Sequence, residues 1–183
     1  GKCDSIHTNQ QTGYTKMYRD PVIWSDKNQI TGDSIYLQSN VETEKLDSLK
    51  VFNNAFIISK DSISEDDFNQ IKGRNMYGKF YNNKLKLLLV KGNAESVYFN
   101  RNEETQLLET ITKEISSNIE FTLEAGQIES IKYLKSSDGK SYPPSMFPSE
   151  DRRLKGFIWR GNEQPKKKED IFIKDKNKKS PKK

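Results

Sequence analysis

Cysteine and histidine, the side chains that most often serve as nucleophile, general base or metal ligand, each occur once here, as Cys3 and His7. A Ser-His-Asp or Cys-His site would have to use His7, which lies beside a polar stretch at residues 8–12 and reads as a solvated strand residue. One cysteine makes neither an internal disulfide nor a structural zinc site. Carboxylates are plentiful in "SEDD" (64–67) and "NEET" (102–105). Paired acids suit general acid–base work only where an apolar setting shifts their pKa, and both runs read as solvated turn acids in loops. There is no GxSxG, no Walker loop, no GxGxxG opening a helix and no HExxH. The sequence therefore predicts no catalytic residue, no metal and no cofactor, and points to binding or architecture.

Charge narrows the binding classes. Formal net charge is +5, but residues 166–183 hold nine lysines and three acids. That leaves 22 basic and 23 acidic residues in the rest, a net of −1. A near-neutral body lacks the footprint of a duplex-binding domain. "KGRNMYGKFYNNK", with Arg74, Tyr77, Lys79, Phe80 and Tyr81, interleaves bases with aromatics as single-strand binders do, but reads better as a strand dividing into core and edge residues. No nucleic-acid partner is expected. No apolar run approaches the roughly 18 residues of a membrane span. The chain starts at Gly1 without a methionine or signal peptide, so any targeting segment is expected to lie outside it.

The elements that would position a site are short strands. Turn residues recur at Thr12-Gly13, Gly32-Asp33, Asn53-Asn54, Lys72-Gly73, Asn82-Asn83, Gly92-Asn93 and Asp138-Gly139. Between such turns the sequence predicts antiparallel strands over 15–24, 29–38, 48–59, 71–80, 84–91, 94–100, 117–123 and 128–134. Alternation assigns faces: Ile35 and Leu37 share one, as do Leu85, Leu87 and Leu89, and Ile119, Phe121 and Leu123. "EETQLLETITKEI" has helical spacing, but its β-branched residues favour strand or loop. "PSEDRRLKG" predicts one short helix, with Ser149 as N-cap and Gly156 as stop. From Pro165 onward the composition predicts a basic, disordered tail, or a weak tether to anionic lipid. "GKCDSIHTN" (1–9) is matched by "GNAESVYFN" (92–100), which suggests an array of like units.

An ordered series of phrases carries a resemblance. "MYRDPVIWSDKNQITGDSIYL" (17–37), "LKVFNNAFIISKDS" (49–62), "FNQIKGRNMYGKF" (68–80), "VKGNAESVYF" (90–99), "SSNIEFTLEAGQIESI" (116–131) and "LKGFIWRG" (154–161) together resemble the OstA-like proteins, relatives of LptA. The resemblance covers residues 1–172 and looks like the C-terminal part of a larger OstA-like protein. It implies an all-β, open antiparallel β-jellyroll, with the short helix near the C-terminus. The lipid-binding domain would be 1–164 and the basic tail 165–183.

By the same resemblance, the chain would be a non-enzymatic periplasmic bridge that passes lipopolysaccharide or a related lipid towards the outer membrane. Acyl chains would lie between two sheets, and edge strands would dock other Lpt-type β-jellyroll proteins. The candidate groove wall is Ile35, Leu37, Val51, Ile57, Phe80, Leu87, Leu89, Val97, Phe99, Ile119 and Phe121. Trp159 would plug one end of the sandwich, with Arg160 paired to an acid. The polar stretches 100–114 and 136–153 depart from simpler carriers and bear on whether both edges are free to stack. The rival reading is a scaffold or protein-interaction module of the cell envelope, with a closed core and no lipid.

Overall fold

The computed structural model describes residues 1–124, 127–167 and 169–170. Among them eleven strands form one antiparallel sheet. They are β1 (Ser5–Asn9), β2 (Tyr14–Tyr18), β3 (Val22–Ser25), β4 (Asn28–Thr31), β5 (Ser34–Ser39), β6 (Leu46–Lys60), β7 (Phe68–Tyr81), β8 (Lys84–Arg101), β9 (Leu108–Glu124), β10 (Gln127–Leu134) and β11 (Asp138–Tyr142). β6 to β9 are long enough to serve two lobes. In the first lobe the order is β1-β2-β5-β6-β7-β8-β9-β10. In the second, β3 pairs β4, β4 pairs the end of β6, and β11 pairs the start of β9. The sheet is open, with β1 at one end and β10 at the other.

Two of the expected turns are bulges inside continuous strands. Pairing slips between Phe52 and Ala55, Lys72 and Asn75, and Lys91 and Ala94, so the irregularities of three neighbouring strands line up. Asn53, Asn54, Gly92 and Asn93 adopt φ between 49° and 81°, a region that glycine and asparagine enter at least cost. Side chains take up the freed main-chain donors: Asn53 N–H donates to Asn75 Oδ1 (3.0 Å) and Gly92 N–H to Asn118 Oδ1 (3.2 Å). Pairing resumes beyond the slip, and the strands bend without ending. Residues 84–91 and 94–100 are therefore one strand, and 117–123 is the second half of another. Conversely, 15–24 breaks at Arg19 and Asp20 (φ 58° and 59°), because β2 and β3 belong to different lobes.

The short helix expected over 148–156 is a single 3-10 turn, Ser149–Arg152, and two further turns of this kind, Pro144–Met146 and Gly161–Glu163, flank it. Ser149 lies inside its turn; Pro148 occupies the cap position, and no side chain caps it. Gly156 is not its stop: the turn ends at Arg152 with Arg153 in the C-cap position, and Gly156, at φ 95°, lies beyond it. Most of the expected tail, residues 168 and 171–183, falls outside the described residues.

Two apolar clusters hold the sheet. The first is built on Met17, Ile35, Leu49, Val51, Ala55, Met76, Leu88, Val90, Ala94, Ile119 and Phe121. Ile23, Ile30, Ile57 and Ile71 of the second lobe pack against it, so both lobes share this interior. The second cluster lies on the opposite face of the second lobe: Phe56, Ile58, Phe68, Val97, Phe99 and Ile111, with Phe147 and Leu154 from a strap of residues 143–164. The end of β6 in that lobe is thus apolar on both faces, as in "AFIIS" (55–59).

Candidate functional site

The inner face is two rows of directly opposed side chains. One runs Met17, Ile35, Val51, Met76, Val90, Ile119, Tyr133 from β2 to β10. The next runs Leu37, Leu49, Gly78, Leu88, Phe121, Ile131. Strict alternation on β5, β6 and β7 aims these residues inward. The centre is closed: Ile35, Val51, Met76, Val90 and Ile119 are all 0 % exposed. Around it stands a partly exposed apolar rim, including Leu37, Phe80, Leu85, Leu123, Ile128, Ile131 and Tyr133. Such a face can hold apolar chains.

The face also carries an acid. Glu114 shares a row with Ile57, Ile71 and Ser96. Burial, and then the charge of Asp138, push its carboxyl above the usual range. Burial and Glu114 in turn raise the Tyr133 hydroxyl.

The eleven candidate wall residues divide four ways. Ile35, Val51, Ile119 and Phe121 are in the closed interior, and Leu37, Ile57 and Phe80 are on its partly exposed flank. Leu87 and Leu89 sit on the outer face, opposite Lys79 and Tyr77. The expected face of β8 is therefore inverted there: Leu88 and Val90 point inward. The run "LKLLLV" is apolar on both faces, so alternation alone could not choose. Val97 and Phe99 lie beneath the strap, in the second cluster. Of the inward residues missing from that wall, Leu49 and Met76 lie on alternating positions of β6 and β7, Leu88 and Val90 on the inverted stretch of β8, and Met17 on β2, which the sequence joins to β3.

The acids at 64–67 also differ from expectation. Asp67 is buried, and pairs with Arg152 of the strap (2.7 Å) and with Arg101 (3.2 Å). Arg101 also pairs with Asp61 (2.8 Å). Burial alone would raise Asp61, but hydrogen bonds from Arg101 and from the N–H groups of Ser64 and Ile63 hold it low. This network fastens the strap. Trp159 packs on Phe68 (5.2 Å between centroids), and Arg160 pairs with Asp20 (2.9 Å) and Glu163 (2.8 Å).

The two stretches matched in sequence differ in burial. Val97 is closed to solvent, whereas its counterpart Ile6, on edge strand β1, is 62 % exposed. β1 pairs only with β2, so its other edge is open among the described residues.

Comparison of the folds places this geometry. The chain superposes on the crystal structure of LptH, described as the LptA-homologous periplasmic component of the conserved lipopolysaccharide transport device of Pseudomonas aeruginosa. The TM-score is 0.55 at 11% identity, over 78% of this chain and 93% of that one. The fold is that of the LptA-like β-jellyrolls. No protein-family model matches the sequence, and no curated protein does. No cluster of metal-ligating side chains occurs among the described residues. None of their helices is long and apolar enough to cross a membrane, which does not bear on strands.

Proposed function

We propose that this chain is a non-enzymatic, lipid-binding bridge module that carries lipopolysaccharide or a related lipid across the periplasm. The observation that carries the reading is the inner face: two rows of apolar side chains across six to seven strands, flanked by a partly exposed apolar rim. Acyl chains laid on that rim would gain about 0.8 kcal/mol per buried CH₂. The wall we assign to them is Leu37, Phe80, Leu85, Leu123, Ile128 and Ile131. Ile35, Val51, Ile119 and Phe121 form the floor behind it. The likeness to the fold of LptH supports this reading. The free edge of β1 would dock a neighbouring β-jellyroll by strand addition. The module would span residues 1–164, with the basic segment after it outside the domain.

One observation favours the rival, a scaffold with a dry core: the central row is closed to solvent. Photo-crosslinking separates the two. A benzophenone amino acid at Ile131 should capture added lipopolysaccharide, and one at Leu89 on the outer face should not. Saturable capture at Ile131, lost in Leu37→Asp protein that keeps its β circular dichroism, supports the bridge. Equal labelling at both positions, or none at either, leaves the scaffold.

A further inference from the structure

The outer face of the first lobe has a composition the lipid reading does not use. Its central rows read His7, Lys16, Tyr36, Lys50, Tyr77, Leu89, Glu120, Lys132 across the eight strands, with Tyr18 and Phe52 in the row above. Tyr18, Tyr36, Phe52 and Tyr77 form an unbroken edge-to-face chain, with centroids 5.8, 5.1 and 6.1 Å apart. Lysines are set among the rings: Lys16 Nζ stands 5.2 Å from the Tyr36 centroid and Lys91 Nζ 5.5 Å from that of Tyr77. With Lys50, Lys79 and Lys132, the three opposed rows from β1 to β10 carry five lysines. Among the described residues of these rows the one acid is Glu120, which pairs with Lys132 (3.5 Å). Residues 1–165 as a whole carry a net −1, so positive charge has been segregated to this face.

We infer that this face binds an anionic glycan: a linear saccharide bearing carboxylate or phosphate groups. The aromatic chain offers ring faces and hydroxyls at sheet spacing, on which sugar rings can lie, and the interleaved ammonium groups match acidic substituents. The rings are half-buried and locked against one another, so they cannot insert into a bilayer, and the large apolar side chains that protrude most, such as Ile6 and Met146, lie elsewhere. Where the face meets the sheet bend, a trough of about 820 Å³ opens between the bulges and the strap, lined by Lys72, Arg74 and Lys155 but also by Asp33 and Glu95. This inference stands apart from the inner-face lipid reading and does not rest on it.

Titration calorimetry with polygalacturonate tests the assignment, using neutral dextran, phosphatidylglycerol vesicles and an oligo(dT) as comparison ligands. We expect polygalacturonate to bind at low salt and weaken as salt rises, with dextran silent. Lys50→Gln with Lys91→Gln should cost about ten-fold or more in affinity, from two lost charge contacts. Tyr36→Leu with Tyr77→Leu keeps the charge and an apolar side chain, and should still weaken polygalacturonate several-fold. Melting curves check that both double variants fold. No binding by the parent protein overturns the inference. So does binding to vesicles or oligo(dT) as tight as to polygalacturonate and untouched by the tyrosine pair, which would make the face a generic anion patch.

Discussion

Gln29 and Gln70 grip the strap with the same pair of hydrogen bonds, six residues apart along it. Gln29 Nε2 donates to Ile158 O (2.8 Å) and its Oε1 accepts from Arg160 N–H (2.6 Å); Gln70 Nε2 donates to Arg152 O (2.7 Å) and its Oε1 accepts from Leu154 N–H (2.8 Å). Both side chains are fully buried. Each amide takes the place of a strand neighbour, serving the carbonyl of one strap residue and the N–H of the residue two further on. The strap is thereby held to the sheet although it is not a strand of it.

Truncating either glutamine leaves a buried carbonyl and N–H unpaired, which costs about 1–3 kcal/mol for each group left so. Gln29→Ala and Gln70→Ala should each lower the urea midpoint. Their near-ultraviolet signal from Trp159 should be lost before the far-ultraviolet β signal. A single coincident transition at the parent midpoint would show that the strap does not depend on these amides.

Asp67 makes a stronger claim on the same segment. It is buried between Arg101 and Arg152, and Arg152 also lies over the Phe99 ring (5.2 Å). Asp67→Asn removes the charge that both guanidinium groups face, and we expect a loss of about 3 kcal/mol, less than for a fully sealed pair because Arg152 is partly solvated. High salt should not rescue it, since screening acts weakly at a buried site. A loss under about 0.5 kcal/mol would mark the network as surface decoration.

How much of this was legible beforehand differs by element. β5, β6 and β7 alternate cleanly, so Ile35, Leu37 and Val51 could be placed inside from pattern alone. "LKLLLV" gives no phase, since a strand with two apolar faces alternates nothing, and Leu87 and Leu89 face outward where the sequence sets them inward. Val97 and Phe99 were aimed at the wrong partner for a related reason: their own alternation is sound, but the strap that covers them comes from 143–164, a stretch with no helical or strand period. Glycine and asparagine at 92–93 announce a positive φ, but not whether the chain turns or bulges; only the pairing of Asn118 with Gly92 decides that.

The bend itself can be tested at Gly73. A Cβ there would stand 2.5 Å from Val90 Cγ1, closer than packed atoms approach, and Val90 is fully enclosed. Gly73→Ala should therefore cost about 1–3 kcal/mol through overpacking, despite the stiffer chain that alanine confers when unfolded. Gly73→Ala combined with Val90→Ala should recover part of the loss, because the second change vacates the contested volume. Recovery is the decisive observation: a double variant no better than the sum of both singles would place the strain elsewhere.

Glu114 gives the inner face a pH dependence whose sign follows from its setting. Burial, then Asp138, raise its carboxyl pKa in the folded protein above the ordinary 4.5. The unfolded chain thus gives up this proton at lower pH than the folded one does, so stability is lost as pH rises from about 4.5 through the folded value. Glu114→Gln removes the ionisation and keeps the shape. Its melting temperature should exceed that of the parent by about 2 °C or more at pH 7.5 and converge with it at pH 4. A variant that melts lower than the parent at pH 7.5, or a gap that persists unchanged into acid, would mean that the Glu114 carboxylate is well solvated or paired. The inner face would then be wetter at the second lobe than its neighbours Ile57 and Ile71 imply.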